Sequence, residues 1–282
     1  MKKKNKKILI LGSSGSIGRD LYELLKPDFN VIGTYLNKKH SKFGDYRLDL
    51  LNIYSFKKII KKTQPDFVIN TTGIASPEEC EQNKKGSYLI NYKAAENVSM
   101  ICVKEKIPFI YFSTDYIFQG NKKNYLEDDI PCPVNYYGIT KLLGETVSKD
   151  GIILRLPKVI LLNKFRDSFF QGIIKKNKLK IDNFRIRKFL WTYDLCKVIE
   201  RMIELNIDNG VYHVCGDELF TKYKLAELFL DIKKIDKKII SIKDKESALR
   251  PRRSIMRNKK VKKLGIRFTP LKKVFQSERF NI

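Results

Sequence analysis

The string Gly12-Ser13-Ser14-Gly15-Ser16-Ile17-Gly18, set directly behind the apolar run KILIL, constrains this chain more than any other feature. A short apolar run of that kind reads as a buried strand, and the periodic apolar positions over residues 17–25 read as a helix. Glycines at such a junction permit a tight turn and let backbone N–H groups at the helix start approach a pyrophosphate. The spacing is GxxGxxG rather than GxGxxG, so its weight comes from its position between a first strand and a first helix. The loop therefore points to a bound dinucleotide.

The segments that follow keep the same rhythm. Strand-like runs cover residues 30–35, 46–50, 66–70, 109–113 and 151–156, and helical runs cover 56–62, 86–106 and 136–148. Nearly all-apolar strands separated by helices mean a parallel sheet covered on both faces. The expected class is α/β, a Rossmann-type doubly wound parallel sheet with a smaller C-terminal substrate-binding part. Ligands of such sheets sit beyond the carboxyl ends of the strands. We assign residues 1–160 to the NAD(P)-binding Rossmann domain and 161–282 mostly to substrate binding. No linker separates the two, and a strand and a helix of the second part are free to return to the sheet.

Composition removes several classes. No run reaches the ~18 consecutive apolar residues of a membrane span. The basic N-terminus is followed by apolar residues 8–11 alone before the glycines begin, too short for a secretion signal. A cytoplasmic protein with no membrane partner is expected. Cys80, Cys102, Cys132, Cys196 and Cys215 form no CxxC pair and are odd in number, which argues against a disulfide framework or a zinc site. His40 and His213 have no ligand-like neighbours at metal spacing, so no metal is expected.

The charge is strongly positive, with 57 Lys+Arg against 31 Asp+Glu. It is also uneven: residues 1–150 carry 24 basic and 17 acidic side chains, residues 151–282 carry 33 and 14. Much of it reads as a solvated lysine-rich surface, and the C-terminal excess as a field drawing in an anionic ligand. No stacking aromatics interleave with the basic runs, so nucleic acid is not an expected partner.

An acid about 20 residues beyond the glycine loop would hold the ribose 2′-hydroxyl of NAD. That stretch here is Gly33-Thr34-Tyr35-Leu36-Asn37-Lys38-Lys39, with no acid, and Arg19 directly follows the last loop glycine. A neutral strand end with cations nearby suits a 2′-phosphate. NADP(H) is favoured, with NAD(H) the alternative.

Tyr137 and Lys141 stand four residues apart, which places them side by side on one helix face. A cation close to a phenol stabilises the phenolate and lowers its pKa from ~10, making the tyrosine a usable proton donor or acceptor.

With these strings in place, the chain resembles the extended short-chain dehydrogenase/reductase superfamily, and within it the dTDP-4-dehydrorhamnose reductase group. The resemblance spans nearly the whole chain. It rests on GSSGSIG, Asp49-Leu50, Asn70-Thr71-Thr72-Gly73, Ser113-Thr114-Asp115-Tyr116-Ile117-Phe118, and the segment from Tyr125 through Tyr137-Gly-Ile-Thr-Lys141 to Glu145. It implies that Thr114 hydrogen-bonds a substrate carbonyl, Tyr137 protonates it, and Lys141 holds the nicotinamide ribose and tunes Tyr137. It assigns Gly12 to Gly18 to the pyrophosphate, Asp49 and Leu50 to the adenine, Asn70 to Gly73 to the middle of the cofactor, and Arg19 and Thr34 to the same ligand. Arg187 and Arg250 match arginines that contact the diphosphate of a nucleotide sugar, and Tyr116 and Lys158 join Thr114 on the substrate side.

The implied activity is NAD(P)H-dependent reduction of a nucleotide-linked 4-keto-6-deoxy sugar, supplying a deoxysugar for a surface polysaccharide. Lys158 stands where the resemblance expects a tryptophan on the sugar, which leaves the sugar open. After residue 250 the sole acid is Glu278, so a homodimer, if formed, would lack the carboxylates of a magnesium bridge. A 4,6-dehydratase needs an Asp-Glu pair after the active-site threonine, and Asp115 is followed by Tyr116. An epimerase of the same superfamily, and a non-catalytic subunit resembling the methionine adenosyltransferase β subunit, are the alternatives. His213, in a strand-turn string, reads as structural.

Overall fold

Ile8 and Ile10 face one side of the central sheet, Leu9 and Leu11 the other, and all four are fully buried. Strand alternation sends neighbouring side chains to opposite faces, so a strand apolar at every position needs a cover on both. The computed structural model describes residues 5–37, 42–162, 167–175, 179–242 and 249–280. Lys38, Lys39 and His40 lie outside the described residues. The strands are β1 (Lys7–Leu11), β2 (Asn30–Tyr35), β3 (Tyr46–Arg47), β4 (Phe67–Asn70), β5 (Phe109–Thr114), β6 (Ile152–Leu156), β7 (Lys158–Ile160), β8 (Leu179–Asp182), β9 (Phe189–Trp191), β10 (Gly210–His213) and β11 (Ile239–Ile242). Among the described residues, seven of them form one parallel sheet in the order β10-β6-β5-β4-β1-β2-β3. The remainder pair as β7 with β9 and β8 with β11.

The helices are α1 (Ser16–Leu25), α2 (Ile53–Thr63), α3 (Pro77–Gln82), α4 (Lys84–Tyr88), α5 (Ala94–Lys104), α6 (Tyr136–Val147), α7 (Ser168–Lys175), α8 (Thr192–Leu205), α9 (Lys222–Lys233), α10 (Lys259–Lys262) and α11 (Leu271–Gln276). Leu21 and Leu25 of α1 and Val198, Ile199 and Met202 of α8 cover the Ile8–Ile10 face. Phe56 and Ile59 of α2 and Val98 and Ile101 of α5 cover the other. β10 and α8 both come from beyond residue 160, so the C-terminal part extends the sheet and covers one of its faces. A separate core, in which Phe170 packs on Phe229, Phe275 and Phe280, joins α7, α9 and α11.

Two expectations change. The helix read over residues 86–106 is α4 and α5 joined by a π-helical turn, Leu89–Lys93. Such a turn inserts an extra residue into the helical ladder, which apolar periodicity does not register. The strand read over 46–50 pairs only at Tyr46 and Arg47 on the sheet edge, leaving Asp49 and Leu50 beyond it. The chain order reverses between β1 and β4, which is where a doubly wound sheet opens a crevice for a ligand.

Candidate active site

At the carboxyl end of β1, Gly12 takes the left-handed conformation, with φ +79°, that L side chains adopt at a cost. Its N–H donates to the Thr34 hydroxyl at 3.1 Å, and Gly15 N–H donates to Gly12 O at 2.9 Å. A Cβ on Gly18 would stand 2.3 Å from Gly12 O, so the loop closes onto α1 only without one. No side chain caps the start of α1 and no acid occupies its first turn. Backbone N–H groups at an uncapped, acid-free helix start are suited to a diphosphate. These residues fit a dinucleotide.

The neighbouring residues brace that loop. The Ser13 hydroxyl is buried between two carbonyl acceptors, Thr34 O at 3.0 Å and Phe43 O, which share its single proton, so Ser13 has its backbone to offer a ligand. Ser14, Ser16 and Ile17 complete the turn. Thr71 Oγ1 donates to Leu11 O at 2.8 Å, tying the loop after β4 to the end of β1. Asn70 Oδ1 accepts from Thr72 N–H at 3.1 Å and from the Thr72 hydroxyl at 2.6 Å. The Arg19 guanidinium lies 3.5 Å over the Phe43 ring. Asp49 accepts from Leu51 N–H at 2.9 Å, and Leu50 is buried in the α2–α5 face. Asp45 comes from outside the expected stretch, and its carboxylate accepts from Gly33 N–H at 2.7 Å.

Thr114 ends β5, and Tyr137 and Lys141 project from successive turns of α6 into the same cleft, about 340 Å³ in volume. The Asn135 side chain caps α6 by accepting from Gly138 N–H at 2.8 Å. Two glycines seat the helix. A Cβ on Gly138 would lie 2.3 Å from Tyr116 O, and one on Gly144 would lie 2.0 Å from the Tyr111 hydroxyl oxygen. Lys141 is buried, with Nζ 4.1 Å from the centroid of the Tyr111 ring, and Gly73 lies beside it.

Burial dominates the electrostatics here. It lowers the Lys141 pKa to about 7, with Glu145 opposing the drop. It also pushes the Tyr137 phenol above its ordinary value, partly offset by hydrogen bonding with Thr114. The sequence-based expectation that the lysine holds the phenol below ~10 is therefore corrected. Both groups leave water together, and desolvation disfavours the charged form of each.

A second lobe of about 400 Å³ continues the cleft toward Arg250. Tyr116, Lys158, Asp167 and Arg187 line both lobes. Arg187 is buried and donates from Nη1 to the Tyr116 hydroxyl at 3.0 Å, while the Tyr116 ring meets Tyr137 edge to face at 5.8 Å between centroids. Arg250 grips Glu78 through two contacts of 2.5 and 2.6 Å. Burial raises the Glu78 pKa, but Arg250 outweighs it and holds the carboxyl below its usual value. The cleft therefore brings Thr114, Tyr116, Tyr137, Lys141, Lys158 and Arg187 together, with Arg250 in the second lobe alone. Arg19, Thr34, Asp49 and Leu50 stand outside the residues lining either lobe.

The model of the RmlD substrate binding domain matches residues 6–276. The chain belongs to the RmlD substrate-binding family. The methionine adenosyltransferase 2 subunit beta of Xenopus laevis is 29% identical over 237 residues, covering 79% of this chain and 70% of that protein. The spore coat polysaccharide biosynthesis protein SpsK of Bacillus subtilis is 27% identical over 274 residues, covering 93% and 92%. The structure of dTDP-4-dehydrorhamnose reductase from Bacillus anthracis in complex with NADP superposes with a TM-score of 0.85 at 22% identity, covering 96% of each chain. That of a dTDP-4-dehydrorhamnose reductase from Clostridium acetobutylicum does so at 0.83 and 25%, covering 96% and 97%.

Several residues of this RmlD-family site escape a linear reading. Asn91, in the π-helical turn, accepts from Ile74 N–H at 2.8 Å and donates to Ile74 O at 3.0 Å and Thr140 Oγ1 at 2.9 Å. It thus pins the loop after Gly73 to α6. Its sequence signal is faint: an asparagine inside a helix, where its side chain competes with the backbone. Asp115 is buried, which raises its pKa, and it accepts from the Ser254 hydroxyl. Asp167 leaves no distinctive local pattern, and nothing in the string ending at Glu145 signals its pairing with Arg155.

Proposed function

We propose that this RmlD-family protein is an NADPH-dependent reductase of a nucleotide-linked 4-keto-6-deoxy sugar. One observation carries the reading. Thr114, Tyr137 and Lys141 meet in one cleft, whose second lobe ends at Arg250 and whose walls include Ser16 and Ile17 of the glycine loop. The identity of about a quarter to the Clostridium acetobutylicum reductase, over nearly the full chain, supports the same substrate class. The SpsK relationship supports a place in polysaccharide synthesis.

When bound, NADPH supplies the hydride; the protein's residues orient the ketone and manage its proton. The Thr114 hydroxyl donates to the carbonyl oxygen and fixes its direction. Tyr137 OH gives its proton to that oxygen as negative charge develops, which a high phenol pKa does not prevent because the acceptor is a far stronger base. Lys141, one helical turn along α6 and lining the same cleft, is the cation assigned to stabilise the phenolate left behind, and the transfer is general acid catalysis worth about 10²–10⁴ in rate. Arg187 and Arg250 suit the diphosphate of the substrate, since a guanidinium binds phosphate oxygens through paired charge-assisted bonds. NADP(H) is favoured because Asp45 is engaged with Gly33 N–H and Arg19 stands next to the loop.

The test is NADPH and NADH consumption by the purified protein against dTDP-, UDP- and GDP-linked 4-keto-6-deoxy sugars. Turnover of one of them with NADPH preferred supports the reading. The Xenopus laevis relationship favours a second one, a binding subunit. It predicts nucleotide binding with no turnover across the panel. Light scattering on the same sample tests the homodimer expectation.

A further inference from the structure

The wall between the two lobes carries a pair of charges that the mechanism above does not use. Asp167 is 1% exposed and immediately precedes α7. Its Oδ1 accepts from Phe169 N–H at 2.9 Å, an ordinary helix-capping bond. Its Oδ2 is buried as well and has no hydrogen-bond donor among the described residues. Among the described residues, Lys158 Nζ is the cation facing it, 3.9 Å away and beyond hydrogen-bond length. Both residues line both lobes, so they face the middle of the cleft, between the Thr114–Tyr137 end and the Arg250 end.

A buried carboxylate oxygen without a donor is costly, and native proteins leave few such groups without a purpose. Helix capping accounts for one oxygen of Asp167 and leaves the other unexplained. That oxygen can only accept a hydrogen bond, and the Lys158 ammonium can only donate one. A hydroxyl offers one of each, and a pair of neighbouring hydroxyls satisfies both residues at once.

We infer that Asp167 and Lys158 form a hydroxyl-reading subsite for the sugar: Asp167 Oδ2 accepts from a ring hydroxyl and Lys158 Nζ donates to a sugar oxygen beside it. This deepens the reductase reading, on which it rests for the direction in which the sugar lies. The pair selects a hexose that retains the hydroxyls near its carbonyl carbon and disfavours its deoxy counterpart, because a missing hydroxyl leaves the carboxylate desolvated and unpaired.

The experiment is calorimetric binding of dTDP-, UDP- and GDP-glucose, of the 2-deoxy and 3-deoxyglucose forms, and of the bare nucleoside diphosphates, to the full-length protein and two variants. Asp167→Asn keeps a capping side chain while removing the charge, and Lys158→Met keeps most of the side chain's length. The unaltered protein should bind one of the glucose forms about 10- to 100-fold more tightly than a deoxy counterpart, the range set by a charge-assisted hydrogen bond. Asp167→Asn should erase that preference and leave affinity for the bare nucleoside diphosphate unchanged; Lys158→Met should reduce it. Equal affinity for the glucose and both deoxy forms, a preference that survives Asp167→Asn, or no binding of any nucleotide sugar would overturn the inference. A preference present without NADPH turnover would overturn the reductase reading alone. Turnover present without the preference would overturn the subsite alone.

Discussion

Arg155 Nη2 and Glu145 Oε2 meet at 2.8 Å inside the protein, with side chains 5% and 7% exposed. Arg155 Nη1 also donates to Glu127 O at 2.9 Å, and the Ser113 hydroxyl donates to Glu145. The pair joins β6 to α6 one turn below Lys141, while Ser113, the residue before Thr114, ties it to β5. Removing one partner strands the other charge out of water. Glu145→Ala should lower stability by about 3–5 kcal/mol, whereas Glu145→Leu with Arg155→Met should cost far less than the two single changes summed. Urea unfolding of Glu145→Ala and of the four proteins in the Leu/Met cycle measures both quantities.

Tyr137→Phe deletes one oxygen at the cleft and leaves the ring's edge contact with Tyr116. The reductase rate should fall on the order of 10²–10⁴-fold. The thermal midpoint should stay within a few degrees of the unaltered protein's, because the hydrogen bond lost is the one with Thr114 at the cleft. A variant that keeps more than a tenth of the rate would remove Tyr137 from the acid role.

Gly18→Ala forces a Cβ against the carbonyl of Gly12, a backbone atom that cannot swing aside. Overpacking of this kind costs about 1–3 kcal/mol. We expect NADPH affinity to drop at least tenfold as the loop opens, read by fluorescence titration, with the far-ultraviolet spectrum unchanged.

His213 gives the protein a specific acid sensitivity. Burial, and then the charge of Arg155, lower its pKa to about 3 from an ordinary value of 6.5. Between those values the unfolded chain binds a proton that the folded chain refuses. The contribution of neutral His213 is complete above about pH 6.5 and is lost as pH falls toward 3, at up to about 1.36 kcal/mol per pH unit. Plotting urea midpoints from pH 7 to 4 for the protein and for His213→Gln should give a shallower slope in the variant. Parallel slopes would show that the imidazole titrates normally.

Local sequence carried the parts of this molecule that local chemistry enforces. Ile8 to Leu11, apolar at every position, demand a strand with two covers, and Gly12 to Gly18 suit a turn onto a helix start; both are where the chain places them. Tyr137 and Lys141 share a helix face because four residues nearly complete a turn. The RmlD family and its doubly wound sheet follow from such segments in series.

Other features depend on what the fold packs together. The π-helical turn at Leu89–Lys93 lies in a segment whose apolar spacing does not distinguish it from ordinary helix, so periodicity is silent about it. Burial raises the Tyr137 pKa where spacing alone points down, because spacing counts a neighbouring charge and omits the water the phenol loses. Asp115 with Ser254, Glu145 with Arg155, and Lys158 with Asp167 each join residues distant along the chain or separated by a loop. A sequence states which side chains are present and how they repeat along a strand or helix. Burial and pairing across elements decide which of them stay charged, which brace the cleft, and which face a substrate, and those are properties of the packed chain alone.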